Sequence, residues 1–324
     1  MPRIQSLAIL AAGTDPQAND FLAEQYGKVI ENVQKGAIST NMKNTDLSGD
    51  PSTGTVEAKR FANAEPQDYG TARAAGAGNK LKALPVTIPI DTDKEFVEEM
   101  EEKDTSLYGV DGLVQRRGAN QTLRMIAYLD TKFFATAAAD GVALNMSGYD
   151  KVEEELEAII QECETTKNDF VDGVPRALMH LVLSPKYYGK IRNQLDTQTN
   201  NANVDTAAEE FKVWHGVKVY SCVNLPKGLD YILMVEGAVA QPVMPSPYTV
   251  EKIPLSKAYV LELFFSFGTK TVTPDLIFKK GVFTAVAANA TFDSSKTYYT
   301  VSNGVYTVAE IQAFAQGTTY YTMG

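Results

Sequence analysis

Residues 39–90 read STNMKNTDLSGDPSTGTVEAKRFANAEPQDYGTARAAGAGNKLKALPVTIPI, and from Ser39 to about Pro85 the stretch is dominated by Thr, Asn, Gly, Ala and Asp with no sustained apolar face. A connection this long and this poorly apolar is uncommon inside one domain and marks either a linker or a functional arm. Strand signals favour the arm. Thr55–Phe61 can run extended, and Leu84, Val86, Ile88 and Ile90 alternate with Pro85, Thr87 and Pro89. Pro85 and Pro89 share one parity, so both missing amides fall on the same lateral side, as a sheet edge allows. The economical expectation is an extended two-stranded β-ribbon, marginal by itself and in need of another surface.

Upstream, Phe21, Leu22, Tyr26, Val29, Ile30 and Val33 recur at helical spacing and Gly36 supplies a stop. This predicts one amphipathic helix seeking a partner surface. The opening Met1-Pro2-Arg3 precedes an apolar stretch too short for a signal peptide, so residues 1–38 are expected as an ordered N-terminal arm. Downstream, Thr92-Asp93-Lys94-Glu95 has the spacing of a capping box and predicts a short acidic helix with Phe96 and Met100 on one side. A longer helix is expected over residues 111–138, with a stripe of Leu123, Ile126, Leu129, Phe133 and Ala137. At 1.5 Å per residue it would span about 40 Å, and Gly118 within it costs about 1 kcal/mol relative to alanine.

Asp150 and Glu153 signal a further helix carrying Val152, Leu156, Ile159, Ile160 and Cys163. The apolar run from Leu178 to Leu183 leads through Ser184, a candidate N-cap, and Pro185, at a first helical position, to Tyr188, Ile191 and Leu195. That is a buried strand feeding a helix. The polar tract 196–205 reads as a loop before strands at 211–215 and 217–223, joined near Gly216. Tyr231–Val235, Ala258–Phe267 and residues 272–278 are expected extended, with Pro242, Pro245 and Pro247 between them. Helix and strand mix irregularly, which is α+β and not regular βαβ alternation. After Gly281 the texture shifts to Thr, Ser and Tyr. Thr297-Tyr298-Tyr299-Thr300 is echoed by Thr319-Tyr320-Tyr321-Thr322 around a helix-capable stretch at 308–314, suggesting a small appended β-rich module.

Thirty basic against forty acidic residues give a net charge of −10, which argues against gripping nucleic acid phosphates or anionic membranes. No apolar run approaches the roughly 18 residues of a membrane span. With 324 residues the prior is about two domains. The two cysteines, Cys163 and Cys222, form no CxxC pair, which excludes a disulfide framework or zinc knuckle and fits a reduced, intracellular folding environment. His180 lies inside an apolar run and reads as a core histidine making an ordinary hydrogen bond; His215 precedes Gly216 at a turn. No nucleophile elbow, HExxH helix or phosphate loop occurs, Gly76-Ala77-Gly78-Asn79-Lys80 lacking the required spacing. The acidic run Asp91, Asp93, Glu95, Glu98, Glu99 reads as a solvated face and not as a calcium loop. The tyrosine pairs read as strand packing before a binding platform. No catalytic, cofactor-binding or metal residue is assigned.

This order of parts resembles the major capsid protein of tailed bacteriophages, the Hong Kong 97-type fold, over most of residues 15–280. Leu181-Val182-Leu183-Ser184-Pro185-Lys186-Tyr187-Tyr188 is similar to the strand-to-helix step of the family's axial domain. Trp214-His215-Gly216-Val217-Lys218-Val219-Tyr220 with Asn224-Leu225-Pro226 follows in the right order. Ala238-Val239-Ala240-Gln241-Pro242-Val243, Phe267-Gly268 and Thr273-Pro274-Asp275 look like its closing peripheral strands.

The resemblance implies an N-terminal arm at 1–38, an extended β-ribbon (E-loop) at 39–90 and a peripheral domain with spine helix at 91–148. An axial domain at 149–237 and peripheral return strands at 238–280 would follow, with the C-terminal module at 281–324 outside the shared core. It implies a non-enzymatic phage capsid protein without cofactors, assembling with itself as hexamers and pentamers into an icosahedral shell around double-stranded DNA. Implied partners are portal and scaffolding proteins, with a decoration protein as a further candidate, weak non-specific contact with packaged DNA, and no membrane. The implied place is the virion, assembled in the host cytoplasm. The chain offers only a short arm before the ribbon, so any scaffold is expected as a separate protein. Some relatives cross-link neighbours through lysine and asparagine; Lys59, Lys80 and Lys82 lie in the ribbon, but no spacing identifies an asparagine partner. The alternatives are an encapsulin-type nanocompartment shell and a virion decoration or adhesin protein.

Overall fold

In the computed structural model, which describes residues 4, 6–64, 66–75, 81–105, 108–197, 204–205 and 210–324, helices and strands alternate irregularly in an α+β fold. The chain opens with α1 (Leu7–Ala12) and α2 (Pro16–Gly36); Asp15 caps α2 by accepting from the Gln17 N–H, with Pro16 at the first position. Next come the ribbon strands β1 (Thr55–Phe61) and β2 (Ala83–Pro89), which form a two-stranded sheet, then β3 (Thr92–Glu101) and the long helix α3 (Gly109–Asp140). Strand β4 (Val142–Leu144), α4 (Val152–Thr165), β5 (Met179–Leu183) and α5 (Pro185–Thr197) follow. The next strands are β6 (Val213–Trp214), β7 (Val217–Ser221), β8 (Tyr231–Val235), β9 (Val243–Pro245), β10 (Thr249–Lys252) and β11 (Ala258–Phe267). The last are β12 (Ile277–Lys280), β13 (Phe283–Ala285), β14 (Tyr298–Ser302), β15 (Val305–Val308) and β16 (Tyr321–Met323).

The chain divides into two units. The first comprises Met1–Lys59, Pro85–Phe133 and Val239–Lys270. Its sheet is built on β11, which pairs antiparallel with β3 from Ala258 opposite Glu101 to Phe267 opposite Thr92, and with β9 and β10 on its other side. Leu7, Leu10, Leu22 and Val29 bury against Val114, Met125 and Leu129 of α3 and against Leu261, Leu263 and Phe265 of β11. Helix α2 thus finds the apolar surface it needs within its own chain. Asp130 on α3 accepts from the Ile38 and Ser39 amides at 3.2 and 3.0 Å, satisfying donors just past the end of α2.

Several expectations are corrected in this unit. Thr92–Glu101 is a strand and not a capped acidic helix. Positions four apart lie on one face at either period, so Phe96 and Met100 fit both readings. Glu98 occupies the intervening half-buried position and is held by Arg117 of α3. Leu123 does not join the buried stripe of the long helix: it is 67% exposed, while Leu129 and Phe133 are buried. Gly118 is a point of close approach, where a β-carbon would stand 3.3 Å from Val29 Cγ2 and 3.6 Å from the Tyr248 hydroxyl.

The second unit comprises Arg60–Leu84, Phe134–Ala238 and Thr271–Gly324. Its sheet has the order β6-β7-β5-β8-β12-β4, with β7 parallel to β5, β12 parallel to β4, and β8 antiparallel to both its neighbours. Strands β5 and β8 are buried at every position, as a sheet covered on both faces requires. Leu156, Ile159, Ile160 and Cys163 of α4 and Ile191 and Leu195 of α5 supply the helical side of the core. The Ser184-Pro185 step stands where the sequence placed it, with Ser184 Oγ accepting from the Tyr187 amide at 3.4 Å. Between β6 and β7 the chain reverses in two residues, His215 at φ 49° and Gly216 at φ 84°. Left-handed backbone at both centres makes this a type I′ hairpin, which glycine tolerates without strain.

Two further segments differ from the sequence reading. Residues 272–278 contain a 3₁₀ turn, Pro274–Leu276, before β12 begins at Ile277. Residues 308–314 form no helix; Val308 ends β15. Within the tract 196–205, helix α5 reaches Thr197 and Val204–Asp205 pairs with Glu210–Phe211, while 198–203 lie outside the described residues. The final sheet runs β13-β16-β14-β15, and the two tyrosine repeats are neighbours in it, Tyr298 opposite Thr322 and Tyr299 opposite Tyr321. Tyr298, Tyr299 and Tyr320 are buried, so the repeats serve packing.

Candidate assembly elements

The root of the ribbon lies in the first unit and is held at several points. Val56, Ala58 and Ile88 are buried. Ser48 and Glu57 exchange backbone hydrogen bonds of 2.8 Å in both directions, and the Ile90 amide donates to Gly54 O at 2.8 Å. Lys270 Nζ donates to Thr87 O at 3.0 Å. The end of β2 crosses so closely over Gly268 that a β-carbon there would overlap the Pro89 carbonyl oxygen and stand 3.3 Å from Ile88 Cγ2. Only glycine fits. The expectation that the ribbon lacks support within its own chain is therefore corrected at its root.

The distal part, residues 60–84, lies in the second unit. The Ala62 amide donates to Lys82 O at 2.9 Å, continuing the pairing of the two strands. Arg60 forks onto Asp275, Nη1 to Oδ1 at 2.6 Å and Nη2 to Oδ2 at 2.5 Å, and its guanidinium lies 4.3 Å from the centre of the Phe170 ring. Asn168 Nδ2 also donates to Asp275 Oδ2, at 2.5 Å, and the Asn63 amide donates to Asp169 O at 2.8 Å. Burial alone would raise the Asp275 carboxyl, but the hydrogen bonds and charge of Arg60 outweigh it and hold the carboxyl below its ordinary value.

Beyond this clamp, none of the described side chains from Phe61 to Leu84 is buried. Tyr69 is 94% exposed and Leu81 77%, and Phe61 and Leu84 are about half exposed. Lys59 and Lys82 are exposed, and Lys80 lies outside the described residues.

The residues weighed for chemistry are placed structurally. His180 is fully buried on β5, stacked on Tyr220, and neither ring nitrogen makes the expected hydrogen bond. The Glu236 carboxylate stands 3.6 Å away. Burial, with the charge of Lys218, lowers its pKa against the opposing pull of Glu236. His215 sits at the hairpin turn as expected and stacks on Trp214. Its Nδ1 also lies 2.6 Å from Glu157, which the sequence did not foretell. Glu157 and Glu164 both grip Arg176, at 2.7 Å each. Cys163 and Cys222 are both buried and neither is in a disulfide, and Cys222 Sγ accepts from the Asn224 amide at 3.3 Å. Among the described residues no group of His, Cys, Asp or Glu side chains is placed to hold a metal ion, and no helix is long and apolar enough to cross a membrane.

No protein-family model matches the sequence, and no curated protein matches it. The backbone is nonetheless similar to solved structures. The structure from Mycobacterium phage Che8 superposes with a TM-score of 0.51 at 14% identity, covering 86% of this chain and 92% of that one. The capsid structure of the cyanophage P-SCSP1u gives 0.52 at 12% identity over 74% and 85% of the two chains. The capsid of the native GTA particle gives 0.52 at 11% identity over 75% and 88%. With a paired ribbon, a long helix, a sheet built on β11 and a strand-to-helix step at Ser184, this chain has the Hong Kong 97-type phage capsid fold.

Proposed function

We propose that the protein is a major capsid protein whose copies tile a closed icosahedral shell around double-stranded DNA. In this reading residues 91–148, with α3 as the spine, and the return strands at 238–280 serve as the peripheral domain, and residues 149–237 serve as the axial domain around which hexamers and pentamers gather. The observation that carries it is the ribbon, which joins a root fixed by Gly268, Lys270 and buried Ile88 to a distal part exposing Phe61, Tyr69, Leu81 and Leu84. Full burial of each such side chain is worth roughly 1.5–3 kcal/mol, so a neighbouring subunit that covers them gains several kcal/mol per ribbon. Shell closure then makes later contacts effectively intramolecular.

The net charge of −10 suits a container for DNA, since strong cationic patches would bind the packaged molecule with steep salt dependence and hinder its movement. Portal and scaffolding proteins, a decoration protein and assembly in the host cytoplasm belong to the same reading.

The test is a variant in which residues 63–81 are replaced by Asn-Gly. The Ala62–Lys82 backbone pair and the whole root are then kept. The variant should fold, with circular dichroism changed only by loss of the short helix Thr71–Ala75, yet sediment as free subunits while the parent chain forms large particles. Normal particles from the shortened chain would refute the role of the ribbon.

A further inference from the structure

The pair of Arg60 and Asp275 does more than add an ion pair. Both carboxylate oxygens are engaged, Oδ1 by Arg60 and Oδ2 by Arg60 and Asn168 together. Asn168 is itself fixed, because its Oδ1 accepts from the Phe170 and Val171 amides at 2.9 and 3.0 Å and so aims its Nδ2 at Asp275. The ring of Phe170 covers the guanidinium, and the Arg60 side chain is only 11% exposed. Donors and acceptors are matched within the cluster, so the arrangement suits holding a position better than binding a ligand.

Its location gives the hold a purpose. Arg60 is the penultimate residue of β1, and past it no described side chain is buried until the return strand. We propose that Arg60, Asp275 and Asn168 form a positioning clamp that fixes, within one subunit, the direction in which the ribbon leaves for a second copy of the chain, and that this clamp stays closed in the assembled shell. The proposal rests on the shell reading for its partner and on the clamp geometry for its mechanism. Three residues past Arg60, to Asn63, the chain reaches roughly 10 Å at about 3.3 Å per residue, so a swing of about 10° displaces it by roughly 1.7 Å. That exceeds what a packed apolar contact tolerates. Loss of the clamp therefore alters where the ribbon lands before it alters whether the subunit folds.

The experiment compares the full chain with Arg60→Ala, Asp275→Asn and the charge-swapped pair Arg60→Asp with Asp275→Arg. Amide exchange at residues 61–64 and 82–84 is followed in free subunits and in particles, alongside the diameter distribution of particles by electron microscopy. Asp275→Asn conserves volume and guards against simple misfolding, and thermal melting monitors the rest of the molecule. The expected result is at least tenfold faster exchange in the single variants, a broadened or aberrant range of particle diameters, and recovery of both in the swapped pair. In the unaltered chain, protection at these amides persists on assembly. Single variants with unaltered exchange and uniform particles would overturn the clamp, as would protection in free subunits that is lost in particles. If the unaltered chain makes no particles, the shell reading fails, while exchange in the free subunits still decides the clamp.

Discussion

Alanine at Gly268 should unseat the root of the ribbon. The new β-carbon would meet the Pro89 carbonyl, which is backbone and cannot swing aside as a flexible side chain could. Either β11 shifts at its end or β2 lifts away. Strand β11 is locked by β3 along its length, so β2 yields. Overpacking of this kind costs about 1–3 kcal/mol, and partial exposure of Ile88 adds to it, for a total of roughly 2–4 kcal/mol. With two units in the chain a single melting temperature is a poor readout, whereas local opening is direct. The Ile90 amide, bonded to Gly54 O, reports it. At tenfold per about 1.4 kcal/mol, about 3 kcal/mol accelerates its exchange by roughly a hundredfold. Exchange in Gly268→Ala within about threefold of the parent, a difference of about 0.7 kcal/mol, would refute this account of the crossing.

Gly27 provides the opposite sign. It lies inside α2 with open space around it, so Gly27→Ala should stabilise the first unit by roughly 0.5–1 kcal/mol, read as a higher denaturant midpoint. Acid should weaken the second unit through Glu157. Burial would raise that carboxyl, but hydrogen bonds from Arg176 and His215 more than reverse this and depress it from 4.5 to about 2. Its contribution is therefore fully present above about 4.5 and is lost as pH falls towards about 2. The contribution is on the order of 2 kcal/mol after solvent screening. Unfolding free energies at pH 6 and pH 3 should fall less steeply in Glu157→Gln than in the parent; parallel profiles would contradict the assignment. Burial pushes the Cys163 thiol up to about 12, so alkylation at pH 8 should proceed only after unfolding; rapid labelling of the folded chain would show the site to be open.

What was legible in the sequence was local. Helices α2 and α4 carry complete apolar stripes, and the Ser184-Pro185 step and the His215-Gly216 reversal have side chains that state their own backbone requirements. The two ribbon strands showed because alternation and proline parity survive without tertiary context. What failed depended on distant partners. Strand β3 looks helical until β11 lies beside it and Arg117 satisfies Glu98. Residues 308–314 have helix-forming composition but continue from β15 of the small C-terminal sheet, where aromatic rings, Phe292, Phe314 and Tyr298 among them, pack on one another. The clamp was illegible because Arg60, Asn168 and Asp275 lie far apart in the chain. The ribbon root was misjudged for a related reason, since glycine at 268 signals a close approach without naming what approaches.

Electron microscopy of the purified full-length chain, at concentrations and salt that favour association, tests the central claim most directly. Closed isometric shells of repeating capsomers are expected, with ribbon density lying across a neighbouring subunit. Particles absent at every condition, with the chain remaining as single subunits or small open oligomers, would contradict it.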